Sequence, residues 1–353
     1  MDAFLKWLST NPIVVMALVV SFAIFLTSAT LVYLVAFFQG REISFWPPKI
    51  GGRPSRHAKD DAPLIQHSPL IRKGSVLHTA SGSKVIIESE FYGGANATLY
   101  KAKTPENEKV IVKVYWRGLK PGSPAWELFN QEQRTAEILV HRNIVKTLDR
   151  GLFSGYPFIV MEYLGGGTLR DWLRTHDRIP GSDILSIAGQ VADAIDFAHS
   201  RGVIHRDIKP GNILFESDPQ GRVALGDFGI ARILGAVERD ITAAGGEFVG
   251  TPGYIAPEAL EGREITFASD IYSFGTVLYE MIAGRIPFDE FQEVYALLHA
   301  KVAEDAPDIR VYRKDVPEEI AIRLAQALNR DPRKRPKSAR ALLTGLEKEI
   351  SQL

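Results

Sequence analysis

Cysteine is absent from the chain, which excludes disulfides, thiolate nucleophiles and cysteine-held zinc. Net charge is absent too. The 42 basic side chains balance 42 acidic ones, so no whole-molecule field draws the protein to nucleic acid or to acidic partners, and binding must be local. The eight histidines contain no His-Glu-x-x-His pattern and no other paired metal spacing. There is no internal repeat and no low-complexity tract. What remains is an ordinary apolar content, 45% of 353 residues, enough for one large or two ordinary domains with a real core.

One long uncharged run stands out. Ile13 to Phe38 is 26 residues without a charge, about 39 Å as a helix against about 30 Å of bilayer hydrocarbon. Asn11 suits an N-cap and Pro12 a first helical position, while Phe4, Trp7, Phe37, Phe38, Phe45 and Trp46 suit the two interfaces. A buried core helix would be shorter. A cleaved signal peptide would have an apolar run about half as long and a small-x-small exit before Gln39. The sequence therefore predicts an uncleaved transmembrane helix over residues 12–38, after a short extracytoplasmic segment, 1–11. Lys6 alone precedes the span, whereas Arg41, Lys49, Arg53, Arg56 and Lys59 follow it, which puts the carboxyl side in the cytoplasm. Residues 39–76, rich in Pro, Gly and charge without a clear period, read as a juxtamembrane tether whose basic residues either touch anionic lipid or only set topology.

Beyond the tether the pattern changes twice. Residues 77–162 read as short strands, with Lys84–Phe91 alternating loosely and Thr98–Lys103 and Val110–Tyr115 β-prone, plus one helix over Ala125–Val140. After Gly165-Gly166-Gly167 come longer helices, predicted over Ser182–Ser200, Ser269–Ala283, Glu290–Ala303 and Pro317–Leu328. This is an α+β, two-lobed architecture: a small β-rich lobe (77–162) with one helix and a larger helical lobe (165–349), with a cleft between them.

The chemistry concentrates in His205-Arg206-Asp207-Ile208-Lys209-Pro210-Gly211-Asn212 and, fifteen residues later, Asp227-Phe228-Gly229. Phosphoryl transfer needs alignment and charge cancellation more than covalent help. Asp207 can accept a hydroxyl proton and Lys209 can reach a γ-phosphate. Asn212 and Asp227 are hard oxygen ligands of the kind Mg²⁺ takes, with Mn²⁺ as a substitute. Upstream, Lys113 lies on the apolar strand Val110-Ile111-Val112, where an ammonium is costly unless phosphate and a carboxylate meet it, and Glu132 is the natural partner. Taken alone, a lysine at such a place is more commonly one snorkelling from a sheet edge; the company of the other motifs changes that.

With these motifs in this order, residues 85–346 resemble the eukaryotic-type (Hanks-type) serine/threonine protein kinases. The resemblance implies that Lys113 holds the α- and β-phosphates of ATP and pairs with Glu132. It makes Met161 the gatekeeper, and Glu162, Tyr163 and Leu164 the hinge that binds adenine. Glu258 of Ala256-Pro257-Glu258 would pair with Arg335, and Asp270 would brace the catalytic loop. Lys209 and Thr251 resemble the serine/threonine branch, so the acceptors would be Ser or Thr hydroxyls on protein substrates. Arg206 would grip a phosphate on Thr242, if it is not simply a donor to backbone. His205 would pack near the Asp-Phe-Gly turn rather than act as a base.

One stretch departs from the family. Where the glycine-rich loop should read Gly-x-Gly-x-x-Gly-x-Val, this chain has Tyr92-Gly93-Gly94-Ala95-Asn96-Ala97-Thr98-Leu99. Gly93, Gly94 and Leu99 are the expected nucleotide contacts, and Tyr92 at a glycine position implies weaker affinity or a stiffer loop. The departure motivates a rival, a pseudokinase scaffold that binds nucleotide or a partner without transfer; the complete set Lys113, Glu132, Asp207, Asn212 and Asp227 stands against it. A second rival, nucleic-acid binding through Arg330, Arg333, Lys334, Arg335, Lys337 and Arg340, fits a neutral chain poorly. With so short a segment outside, signals would arrive through lipid, a membrane partner, a homodimer of the span, or the cytoplasm.

Overall fold

Strand-forming sequence begins earlier than the tether reading allows. The computed structural model describes residues 43–45, 48–50, 71–93, 97–115, 138–176, 178–228, 252–291 and 293–353. It has a small antiparallel hairpin of β1 (Ile43–Phe45) and β2 (Pro48–Ile50) inside the segment expected to lack elements. Proline fits there because an edge strand needs no donor at every position. The hairpin belongs to one unit, residues 1–65, and everything that follows belongs to a second, residues 66–353. The expected span, 12–38, lies outside the described residues. Among those described, no helix is long and apolar enough to cross a membrane.

In the second unit, six antiparallel strands form one sheet: β3 (Val76–His78), β4 (Lys84–Gly93), β5 (Ala97–Lys103), β6 (Lys109–Tyr115), β7 (Thr147–Phe153) and β8 (Tyr156–Glu162), in the order β3-β4-β5-β6-β8-β7. Alternation sets the faces: Val85, Ile87, Tyr100, Ala102, Val110, Val112, Val114, Phe158 and Val160 form one buried cluster. The loose alternation of β4 has a cause, since its pairing with β5 shifts between Ile87 and Ser89 and again between Glu90 and Tyr92, as β-bulges do. The predicted helix 125–140 falls almost wholly outside the described residues.

The remainder is helical apart from a short hairpin, β9 (Ile213–Phe215) with β10 (Val223–Leu225). The helices are α1 (Leu169–Leu173), α2 (Gly181–His199), α3 (Pro257–Leu260), α4 (Phe267–Ala283), α5 (Val294–Ala303), α6 (Glu318–Ala327), α7 (Ala339–Leu343) and α8 (Glu347–Ser351). The four long ones fall close to the predicted spans, because their 3.6-residue periodicity buries one stripe: Ile184, Ile187, Val191 and Ile195 on α2, each contributing about 1.5–3 kcal/mol. Helix α4 is buried from Ser269 to Ile282 on all sides. Thr266 and Ser269 cap its start reciprocally, and Gly284 at φ 73° ends it in the left-handed conformation that glycine tolerates. The buried polar groups of α4 organise what lies above it.

Candidate active site

Asp270, on the first turn of α4, is 1% exposed, out of reach of bulk solvent. Its carboxylate accepts the backbone N–H groups of His205 and Arg206, each at 2.8 Å, and contacts Nε2 of His199 at 2.8 Å. These bonds hold Arg206 at φ 72°, a conformation costly for a long side chain, and so fix the turn that presents Asp207. His205 donates from Nε2 to the Gly226 carbonyl at 2.8 Å, and its Nδ1 accepts from Asp207 N at 3.2 Å, which selects the neutral Nε2-protonated tautomer. Its ring packs 4.4 Å from that of Phe228.

Pro210 starts a 3₁₀ turn ending at Asn212. Nδ2 of Asn212 donates to the Asp207 carbonyl at 2.7 Å and to Asp207 Oδ2 at 2.9 Å, and Lys209 Nζ meets that same oxygen at 2.8 Å. Asp207 Oδ1 has no protein donor among the described residues and remains available to accept a proton. Both partners of the Asn212 amide nitrogen are acceptors, so the Asn212 Oδ1 is the end left to serve as a ligand.

β10 delivers Asp227, at φ 62°, through Gly226. A Cβ on Gly226 would sit 3.0 Å from the Leu214 side chain and 3.2 Å from that of Val145, so any larger residue there would make both give way. Lys113, on β6 opposite Leu99 and Ile159, contacts Asp227 Oδ1 at 2.6 Å. Glu132, the partner expected from sequence, lies outside the described residues; the described partner of Lys113 is Asp227. Burial pushes the Asp227 carboxyl up, but Lys113, by charge and hydrogen bond, and then the charge of Lys209 hold it below the usual range. Asp227 and Asn212 thus offer one anionic and one neutral hard oxygen. Among the described residues no group of three His, Cys, Asp or Glu side chains gathers to cage a metal. The donor set fits Mg²⁺, which takes few protein ligands and completes its shell with water and phosphate.

The strand ends and turns above this loop carry the other expected residues. Met161 pairs with Ile111, Leu164 is buried, and Leu99 is half-buried on β5. Tyr92 lies within β4 opposite Leu99 and Gly93 opposite Thr98, so the position that departs from glycine is extended strand, open to any residue. Gly94, Thr242 and Thr251 lie outside the described residues. Glu162 shows what the sequence did not: Arg222 from the loop before β10 grips its carboxylate with two bonds, 2.9 and 2.7 Å, and Lys146 N adds a third at 2.7 Å. Burial raises the Glu162 pKa, but Arg222 and the Lys146 amide hold it low. Arg222 also donates to the Arg142 carbonyl at 2.6 Å, tying the end of β8 to the helical lobe. The glycines that follow are needed individually: Gly167 has φ 80°, and a Cβ on Gly166 would fall 2.5 Å from the Ser217 carbonyl.

Below the loop, Arg335 and Glu258 meet at 2.7 and 2.8 Å with both side chains excluded from solvent. Ser269 Oγ donates to Glu258 at 2.7 Å, and Arg335 also donates to the Ala268 and Asn329 carbonyls, each at 2.8 Å. Tyr254 accepts from Arg170 at 2.6 Å and donates to Glu280. No local sequence pattern marks Arg222, Arg170, Glu280 or Lys301, whose partners named here are 26 to 110 residues away.

The protein kinase domain family model matches residues 89–344. A probable serine/threonine-protein kinase of Clostridium acetobutylicum is 34% identical over 273 residues, 77% of this chain and 40% of that protein. Serine/threonine-protein kinase PknK of Mycobacterium tuberculosis is 35% identical over 251 residues, 70% of this chain and 22% of its own length. The crystal structure of Rad53 1-466 in complex with AMP-PNP is similar with a TM-score of 0.60 at 26% identity, covering 74% of this chain and 64% of that one. The chain spans 34–40% of the length of the first of the curated relatives it matches.

Proposed function

Since this chain belongs to the protein kinase domain family, we propose that it transfers the γ-phosphoryl group of ATP to Ser or Thr hydroxyls of protein substrates, itself included, at the cytoplasmic face of a membrane. The observation that carries the reading is the convergence on Asp207: Lys209 and Asn212 share one carboxylate oxygen and leave the other open, while Lys113 and Asp227 meet beside the same loop. In this reading Asp207 Oδ1 takes the acceptor proton as the new O–P bond forms and the bond to ADP breaks. Lys209 faces the γ-phosphate, and Lys113 holds the α- and β-phosphates. Asn212 and Asp227 would hold Mg²⁺, which when bound neutralises charge on the phosphate oxygens. The Lys113–Asp227 pair keeps both charges compensated until phosphates and metal offer each a partner of the right sign. Glu162 to Leu164 would meet adenine through backbone atoms, because the Glu162 side chain is committed to Arg222.

The uncharged run over residues 13–38 and the basic residues after it support the membrane placement, with lipid and a second copy of the span as partners. Phosphorylation of Thr242, paired with Arg206, would be the activating modification.

The deciding experiment incubates the purified chain with Mg²⁺, ATP and dephosphorylated casein, alongside Asp207→Asn. Labelling of casein or of the chain well above the Asn variant is expected. Nucleotide binding without labelling above that variant overturns transfer and leaves a scaffold. Protease protection of an amino-terminal tag in sealed vesicles, with the kinase region digested from the cytoplasmic side, tests the orientation.

A further inference from the structure

Lys301, on α5, is 2% exposed, and its Nζ donates to the backbone carbonyl of Gly253. The ammonium lies 5.0 Å from the centroid of the Tyr272 ring, and the Arg335 guanidinium lies 4.9 Å from the same centroid. The carboxylates nearby are already committed, Glu258 to Arg335 and Glu280 to Arg170 and Tyr254. A buried cation held by one carbonyl and one ring is expensive. What it holds is the 3₁₀ turn Pro252–Tyr254.

That turn is fixed from three sides. Ser273 on α4 donates to the Tyr254 carbonyl at 2.8 Å, Arg170 on α1 donates to the Tyr254 hydroxyl at 2.6 Å, and Lys301 on α5 takes Gly253. On its remaining side Gly253 packs against the Ile286 side chain, which lies where a Cβ would stand. The first of these anchors shares α4 with Asp270, one turn earlier, which fixes the backbone before Asp207. Turn and catalytic loop are therefore referenced to one rigid helix, and Lys301 closes the outer side.

We propose that Lys301 is a positioning residue for the protein acceptor: it clamps the Pro252–Tyr254 turn to α5 and so sets where the acceptor segment rests relative to Asp207. This rests on the kinase reading, in which the Pro252–Tyr254 turn bears on the choice of acceptor. The clamp has a proton signature. Burial first, and then the charge of Arg335, brings Lys301 down to about 7, so the bond to Gly253 is charge-assisted below neutrality and that of a neutral amine above it. The ionisable groups that act on it are Arg335, itself paired with Glu258, and Tyr272 from α4, whose ring it faces. Burial pushes the Tyr272 and Tyr254 hydroxyls up, so neither ionises near neutrality. On α5 and its cap, His299 and Glu304 are exposed.

The test measures casein phosphorylation by the full chain at saturating Mg²⁺ and ATP, between about pH 6 and about pH 8.5. The wild type is expected to show a KM for casein that rises roughly three- to tenfold through neutrality while the KM for ATP stays level. Lys301→Met should carry the raised KM at every pH, and Lys301→Arg, which keeps its charge, should hold a low and level KM. A parallel arm needs no phosphoryl transfer: hydrogen exchange at Gly253, Tyr254 and Ile255, corrected for intrinsic pH dependence, should lose protection through neutrality in the wild type and not in Lys301→Met. Persistence of the wild-type pH dependence in Lys301→Met, in either arm, overturns the proposal. So does unchanged KM and protection in a Lys301→Met protein that melts normally. If no phosphate is transferred while the exchange arm still responds to Lys301, the kinase reading fails and the clamp alone stands.

Discussion

Replacing Arg335 with Met should be among the most damaging single changes away from the reacting groups. The wild-type guanidinium makes two bonds to Glu258 and one to each of two carbonyls, with 0% and 1% exposure of the paired side chains. Met fills much of the space but leaves the Glu258 carboxylate with Ser269 as its described side-chain donor. An uncompensated buried charge costs about 3–5 kcal/mol, equivalent in a unit of this size to a fall in Tm of about 10 °C. The pH dependence carries a sign. Burial raises the wild-type Glu258 pKa, but the hydrogen bond and charge of Arg335 and then the Ser269 bond hold it below the usual range, so its contribution is present above the unfolded carboxylate pKa and is lost as pH falls through the lower folded value. Without Arg335 burial dominates, the folded pKa lies above the unfolded one, and the variant loses stability as pH rises between the two. The gap between the proteins should therefore be widest near pH 7 and narrow towards pH 4.5. Urea unfolding at both pH values, with the double variant Glu258→Leu/Arg335→Met, measures this. The double variant should recover most of the loss, because replacing both partners strands no charge. A cost below about 1 kcal/mol at pH 7, or a gap that widens on acidification, would refute the reasoning.

Three further outcomes follow from the same geometry. Asp227→Asn removes the charge that Lys113 and a metal ion both need, and should lower Mg²⁺-dependent transfer at least about 100-fold with little change in melting temperature; activity within tenfold of wild type would exclude Asp227 as a ligand. Arg222→Ala frees Glu162 and the end of β8, so the KM for ATP should rise about 3- to 10-fold, on the scale of one charged hydrogen-bond pair, with kcat less affected; steady-state kinetics that leave KM unchanged would remove Arg222 from nucleotide positioning. Gly166→Ala drives a Cβ into the Ser217 backbone at 2.5 Å and should cost about 1–3 kcal/mol in thermal melts, whereas the same change at Gly211, where a Cβ meets nothing within 4 Å, should be close to neutral.

The elements that could be read in advance were those whose cause is local. Helices α2, α4, α5 and α6 announce themselves by runs of helical spacing, and β5 and β6 by short β-prone runs, so their positions fall within a few residues of expectation. The hairpin of β1 and β2 was hidden by its proline-rich surroundings, and β9 and β10 by their three-residue length. The bulges of β4 were visible only as faulty alternation. At Tyr92 the sequence suggested weaker affinity or a stiffer loop; the residue lies in extended strand, where glycine has no backbone advantage.

Spacing alone put Asp207, Lys209 and Asn212 on one loop, because a side chain two or five residues away must share the neighbourhood of its anchor. It also gave neutral charge, no thiol chemistry and an apolar run long enough for a bilayer, since these are sums over composition. Contacts between distant segments were decided by the tertiary structure. The meeting of Lys113 with Asp227 spans 114 residues, and that of Glu258 with Arg335 spans 77. Asp270 becomes the brace of the catalytic loop because α4 is buried on every side and, among the described residues, its carboxylate is met by two backbone amides and His199. Lys301 becomes a buried cation with a near-neutral pKa only when α5 closes over the Pro252–Tyr254 turn. A sequence states which charges exist; what each must pair with depends on which of them folding removes from water.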